Sequence, residues 1–161
     1  MDSNNYLIVG GSSGIGLELV KLLNERQHTV YIGSRSVPDL TQYENVHHLS
    51  YDASADHSEL LGLPDVLNGL VYCPGSINLK PLQRLSTDDF LADFNLNLLG
   101  AVRTIKATLK RLRKSSEGAS IILFSTVAVQ TGMAFHASIA SAKGAIEGLT
   151  RSLAAEFAPR I

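Results

Sequence analysis

One segment limits the possible folds more than any other. Gly10-Gly11-Ser12-Ser13-Gly14-Ile15-Gly16 follows a short apolar run, Tyr6-Leu7-Ile8-Val9. After it, Ile15, Leu19, Leu22 and Leu23 recur at helical spacing up to about Arg26. The apolar run reads as a buried strand, and the glycines let the chain turn sharply from it into the helix. They also allow the backbone of the turn to approach a ligand closely. The helix N-terminus adds unpaired N–H groups and a positive dipole end, which suit an anionic group such as a pyrophosphate. A strand, glycine loop and helix in this order belong in a parallel sheet.

The rest of the chain repeats the alternation. Thr29-Val30-Tyr31-Ile32-Gly33 predicts a second strand, and Val46 to Tyr51 a weaker third, ending at Asp52. Gly69-Leu70-Val71-Tyr72 predicts a fourth, stopped by Pro74-Gly75. Ser86-Thr87-Asp88-Asp89 has the form of a capping box, with Ser86 as the cap and Asp89 reaching back. A long helix follows, with Phe90, Phe94, Leu98, Val102 and Ile105 on one face. Ser120 to Phe124 predicts a fifth strand, and Ile139 to Phe157 a last amphipathic helix stopped by Pro159. Together these predict an α/β fold: one Rossmann-type domain over residues 1–161, a doubly wound parallel sheet of about five strands. Such sheets bind ligands beyond the carboxyl ends of their strands. The chemically notable residues fall there: Gly10–Gly16, Ser34 and Arg35, Asp52, Tyr72–Gly75, and Ser125 with Thr126.

Composition excludes several function classes. The 161 residues are 45% hydrophobic, enough for one core, and the net charge of −1 offers no basic face to nucleic acid. No apolar stretch approaches a membrane span, and residues 1–5 are too polar for a secretory signal. Cys73 is the single cysteine, so no disulfide within the chain is expected, and a reducing, cytoplasmic setting fits. The five histidines do not cluster. Even the adjacent His47 and His48 point to opposite faces of a strand, so no metal site is expected.

The spacing Gly10-x-x-x-Gly14-x-Gly16, with Asp52, Asn97-Leu98-Leu99-Gly100 and the run around Lys143, resembles the short-chain dehydrogenase/reductase family along the whole chain. The resemblance implies an oxidoreductase that moves hydride between a nicotinamide cofactor and a carbonyl, alcohol or enoyl small molecule. Gly10, Ser12, Ser13, Gly14, Ile15 and Gly16 would cradle the cofactor phosphates, Asp52 would receive the adenine amino group, and Gly75 would stay close to the ribose. Family members that prefer NAD(H) carry an acidic residue where Ser34 stands. Its replacement, with Arg35 beside it, favours NADP(H) over NAD(H), because a guanidinium binds a 2′-phosphate through charge-assisted bonds. Asn97, a better match than Asn95, would anchor a relay water, and Lys143 would hold the nicotinamide ribose. The family's substrate-binding Ser lies thirteen residues before its catalytic Tyr, which here gives Thr126, preceded by Ser125.

Three places depart from the family, the first being Thr126, which keeps a hydroxyl where the family has Ser. Ile139 stands where the family has its proton-donating Tyr, four residues before Lys143, and a hydrocarbon neither gives nor takes a proton. Tyr72-Cys73-Pro74 replaces Asn-Asn-Ala before Gly75. Dienoyl-CoA reductases also lack the Tyr and keep the Lys. His136, three residues before Ile139, is a local candidate for the acid if the helix extends back to include it. Two readings compete with an active enzyme: a non-catalytic NADP(H)-binding protein, a sensor or partner subunit, and a decayed copy. Family members pair through the helices matching those near Asp89 and Ile139, which implies a homo-oligomer, a dimer or tetramer. They also continue past Ile161 into further strands, so the chain reads as truncated relative to the family, with its fifth strand an open edge.

Overall fold

Alternation along the central strands sets the layers. In the computed structural model, which describes residues 3–39 and 43–161, β1 is Asn5–Val9, with Leu7 and Val9 on one face and Ile8 on the other, all buried. Met1 and Asp2, part of the polar start noted above, lie outside the described residues. Leu7 and Val9 join a core with Leu70, Tyr72, Ala101, Ile105 and Ile146, while Ile8 joins Val20, Val30, Ile32 and Val71. A strand apolar on both faces must be covered on both, which is the condition for a doubly wound sheet. Each fully buried aliphatic side chain contributes about 2 kcal/mol to that condition.

The other strands are β2 (Thr29–Ser34), β3 (Val46–Ser50), β4 (Gly69–Tyr72) and β5 (Ser120–Leu123). All pairings are parallel, in the order β3-β2-β1-β4-β5. The chain order reverses between β1 and β4, and the crevice beyond the carboxyl ends of these two strands is where such a sheet takes ligands. β5 is an edge strand, as the sequence suggests, and its Ile122 is half exposed. On β3, His47 lies against Tyr31 with ring centroids 5.1 Å apart, while His48 Nε2 bonds Ser34. Among the described residues no helix is long and apolar enough to cross a membrane, and no cluster of His, Cys, Asp or Glu could hold a metal ion.

Helix α1 (Gly14–Glu25) follows the glycine loop. The capping box forms as predicted: Ser86 Oγ accepts from the Asp89 N–H at 3.1 Å, and the Asp89 carboxylate accepts from the Ser86 N–H at 3.0 Å. The long helix behind it is not continuous. α2 (Thr87–Phe94) passes through a π turn, Asn95–Leu99, into α3 (Gly100–Leu112). Its most buried stripe is also not the apolar one. Asp93, Asn97, Ala101, Thr104 and Thr108 are buried, while Phe90, Phe94, Leu98 and Val102 are only partly so. Burying the threonines costs little, because Thr104 and Thr108 donate to the carbonyls of Gly100 and Thr104 one turn back, at 2.8 and 2.9 Å. A short α4 (Ala128–Thr131) precedes α5 (Ala137–Phe157), which starts two residues earlier than the sequence indicates.

Candidate functional site

Beyond the carboxyl ends of β1, β2 and β4 lies an open groove of about 520 Å³. That is within the range of roughly 300–1,000 Å³ usual for small-molecule sites. Gly10, Ser12, Ser13, Gly14, Ile15 and Gly16 line one side of it, and Ser34, Arg35, Asp52 and Gly75 line the rest. The loop is fixed by the Gly10 N–H donating to the Gly33 carbonyl at 2.8 Å. Gly10 has φ +78°, a conformation that side chains disfavour, and a Cβ on Gly16 would run into the Gly10 carbonyl oxygen. The glycines therefore leave a bare backbone cradle at the start of α1, which fits a dinucleotide pyrophosphate.

The walls of the groove differ in their chemistry. Ser54 donates both its N–H, at 2.9 Å, and its hydroxyl, at 2.6 Å, to Asp52 Oδ1. These bonds hold the Asp52 carboxyl below its ordinary pKa, with smaller help from the charges of Arg35 and Arg103. Ser34 is buried, and its hydroxyl donates to the Ser36 carbonyl at 2.7 Å, so this side chain is already engaged. Arg35 is exposed at the rim.

At the far end, Asn97 and Lys143 meet. A Cβ built on Gly75 would stand 3.2 Å from Asn97 Oδ1 and 3.7 Å from Lys143 Nζ, so both polar ends converge on this bare position. Asn97 is 1% exposed. Its amide nitrogen donates to Ser76 Oγ at 3.2 Å and to the Asp93 carbonyl at 2.9 Å, while Oδ1 has no partner among the described residues. The π turn places this amide. In that turn the Gly100 N–H bonds the Asn95 carbonyl, five residues back, which frees the Leu96 carbonyl to accept from the Tyr72 hydroxyl at 2.6 Å. Lys143 is half buried, and desolvation pulls its pKa below the usual lysine value against the opposing influence of Cys73. Burial in turn pushes the Cys73 thiol up to about 11, with Lys143 opposing.

The family model for short chain dehydrogenases matches residues 4–161. The chain belongs to the short-chain dehydrogenase family. It is 32% identical to carbonyl reductase family member 4 of Danio rerio over 167 residues, covering 96% of this chain and 69% of that protein. With hydroxynaphthalene reductase arp2 of Aspergillus fumigatus the identity is 29% over 168 residues, covering 94% of this chain and 60% of that one. A solved structure described as ElxO with NADP bound superposes with a TM-score of 0.85 at 27% identity, over 99% of this chain and 70% of that chain.

The departures from the short-chain dehydrogenase pattern have structural counterparts. Ile139 is 4% exposed on α5, one turn before Lys143, and is not among the residues that line the groove. Ser125 donates to Glu147 Oε1 at 2.7 Å, and Thr126 Oγ1 accepts from the Ala128 N–H at 3.3 Å, just ahead of α4. His136 stands at the N-cap of α5, not within it, so the condition for sharing the face of Ile139 is not met. Its Nδ1 lies 2.7 Å from the Ala134 carbonyl oxygen, which can only accept, so Nδ1 is the donor of this bond.

The sequence reading missed the residue that organises this end. Asp93 is fully buried and accepts from Ser76 at 2.6 Å, Asn78 at 3.3 Å and Ser138 at 2.6 Å. It ties α2 to the residue just before Ile139 and holds the serine on which the Asn97 amide rests. The available signal was spacing: Asp93 lies four residues before Asn97, on the same helical face.

Proposed function

We propose that the chain binds NADP(H) in the groove and acts as an oxidoreductase on a small carbonyl, alcohol or enoyl compound. The observation that carries this reading is the gathering of the glycine cradle, Arg35, Asp52 and Gly75 around one groove that leads to Asn97 and Lys143. When bound, the nicotinamide gives or accepts the hydride. The backbone N–H groups at the start of α1 bind the pyrophosphate. Arg35, with no carboxylate at Ser34, takes the 2′-phosphate, and NAD(H) binds more weakly. Asp52 accepts from the adenine amino group. Lys143 donates to the nicotinamide ribose and places positive charge near the oxygen that becomes negative. Thr126 is freer than Ser125 to hold that oxygen, since Ser125 is engaged by Glu147. Asn97 Oδ1 accepts from a water between it and Lys143. Ile139 supplies no proton, so the proton comes from solvent through this polar end. Relatives named as a carbonyl reductase and a hydroxynaphthalene reductase, and the neighbour with NADP bound, support the reaction class and the cofactor. The half-buried Phe90, Phe94 and Leu98 suit a homodimer formed through α2 and α5, and the single free Cys73 suits a reducing cytoplasm.

The test is an NADPH-consumption assay against carbonyl and enoyl substrates, with the wild type and with Ile139→Tyr. Turnover by the wild type supports the reading. Turnover by the Tyr variant alone makes the native chain a nucleotide-binding protein without catalysis.

A further inference from the structure

Loop 52–56 carries the adenine-side wall of the groove, and it is gripped from behind by two side chains that do not line the groove. Arg103, on α3, donates from Nη1 to Asp56 Oδ1 at 2.9 Å and from Nη2 to the Ala53 carbonyl at 3.0 Å. The same Nη2 donates to Asn95 Oδ1 at 2.8 Å. Asn95, in the π turn, then donates from Nδ2 to the Ser54 carbonyl at 2.8 Å. Three points of the loop are thus fastened, Ala53 and Asp56 by the fork itself and Ser54 through Asn95. Only a planar guanidinium holds several acceptors in fixed directions in this way. Ser54 passes the constraint on, because both of its donors fall on Oδ1 of Asp52. No donor among the described residues bonds the other carboxylate oxygen, Oδ2.

We propose that Arg103, together with Asn95, is a positioning residue for the adenine end of the cofactor. It holds loop 52–56 so that Asp52 meets the adenine amino group in a fixed orientation. The proposal rests on the cofactor reading above. A preordered loop raises affinity by removing the cost of ordering it on binding. The π turn thereby serves both ends of the groove: Asn97 faces Lys143, and Asn95 steadies the loop at Asp52.

The experiment compares NADPH with its hypoxanthine analogue, in which a carbonyl replaces the adenine amino group, by fluorescence titration. The wild type should bind NADPH more tightly than the analogue by about tenfold, the worth of one well-made polar contact. Arg103→Gln should bring that ratio close to one while affinity for the analogue changes little. Arg103→Lys, which keeps the charge beside Asp56 but not the fork, should fall between. Equal weakening of both ligands by Arg103→Gln would show a merely structural role and overturn the proposal. So would an unchanged ratio, or a wild type that does not discriminate. A wild type that binds neither ligand would instead remove the cofactor reading itself. Should Arg103→Gln fail to fold, Asp56→Asn, whose side chain is 75% exposed, carries the test. It should lower the ratio by roughly two- to threefold, and no change there would overturn the proposal.

Discussion

The Tyr72 hydroxyl donates to the Leu96 carbonyl at 2.6 Å, joining the end of β4 to the π turn that carries Asn97. Burial raises the Tyr72 pKa, so the phenol stays protonated and remains a donor throughout the pH range in which proteins are usually studied. Where the family has an Asn, this chain has a longer side chain that satisfies a carbonyl left free by the change of helical register.

Tyr72→Phe should therefore destabilise the fold by about 1–3 kcal/mol, the cost of stranding a buried acceptor. Urea unfolding followed by circular dichroism measures it. Gly100→Ala should also be costly, because a Cβ there would meet the Tyr72 hydroxyl and the Ala53 carbonyl. The two changes share one contact, so the double variant should lose less than the sum of the two.

Asp93→Ala removes the acceptor of three side-chain donors, Ser76, Asn78 and Ser138, at a fully buried position. A loss of about 3 kcal/mol or more is expected, since three donors lose their acceptor at a buried site. Ser138→Ala removes only one donor and should cost roughly 1–2 kcal/mol. Urea midpoints that moved equally for the two variants would show that Asp93 is not the hub of this cluster.

Much of the fold is legible in the sequence because its signals are local. Each strand is a short apolar run bounded by Gly, Asp or Pro, and the capping box lies within four consecutive residues, Ser86 to Asp89. The glycine loop is legible for the same reason, since the strand, turn and helix that give it meaning are contiguous. The π turn is not, because it depends on a hydroxyl 24 residues away in the chain. Asp93 stayed hidden for another reason. The stripe from Phe90 to Ile105 drew attention to an apolar helical face, whereas the more deeply buried face is polar and satisfied by its own hydrogen bonds. Arg103 carries no motif at all. Its role emerges only when Ala53, Asn95 and Asp56 are brought together in space.

Cys73 gives a pH-dependent reading of the same groove. Its thiol is pushed up to about 11 by burial, from an ordinary 9.0, so little thiolate is present near neutral pH. Alkylation by iodoacetamide, followed by mass spectrometry, should be slower than for an unfolded control and should keep accelerating toward about pH 11. Because Cys73 lines the groove, NADPH should slow it further. A rate unaffected by saturating NADPH would place the nucleotide elsewhere.

The most direct measurement is a fluorescence titration of the wild type with NADPH and with NADH, repeated on Arg35→Ala. The account predicts saturable binding of both, NADPH the tighter by about tenfold or more, with the preference erased in Arg35→Ala. Equal binding of the two by the wild type would remove the role given to Arg35. Binding of neither would contradict the assignment of the groove to a nicotinamide dinucleotide.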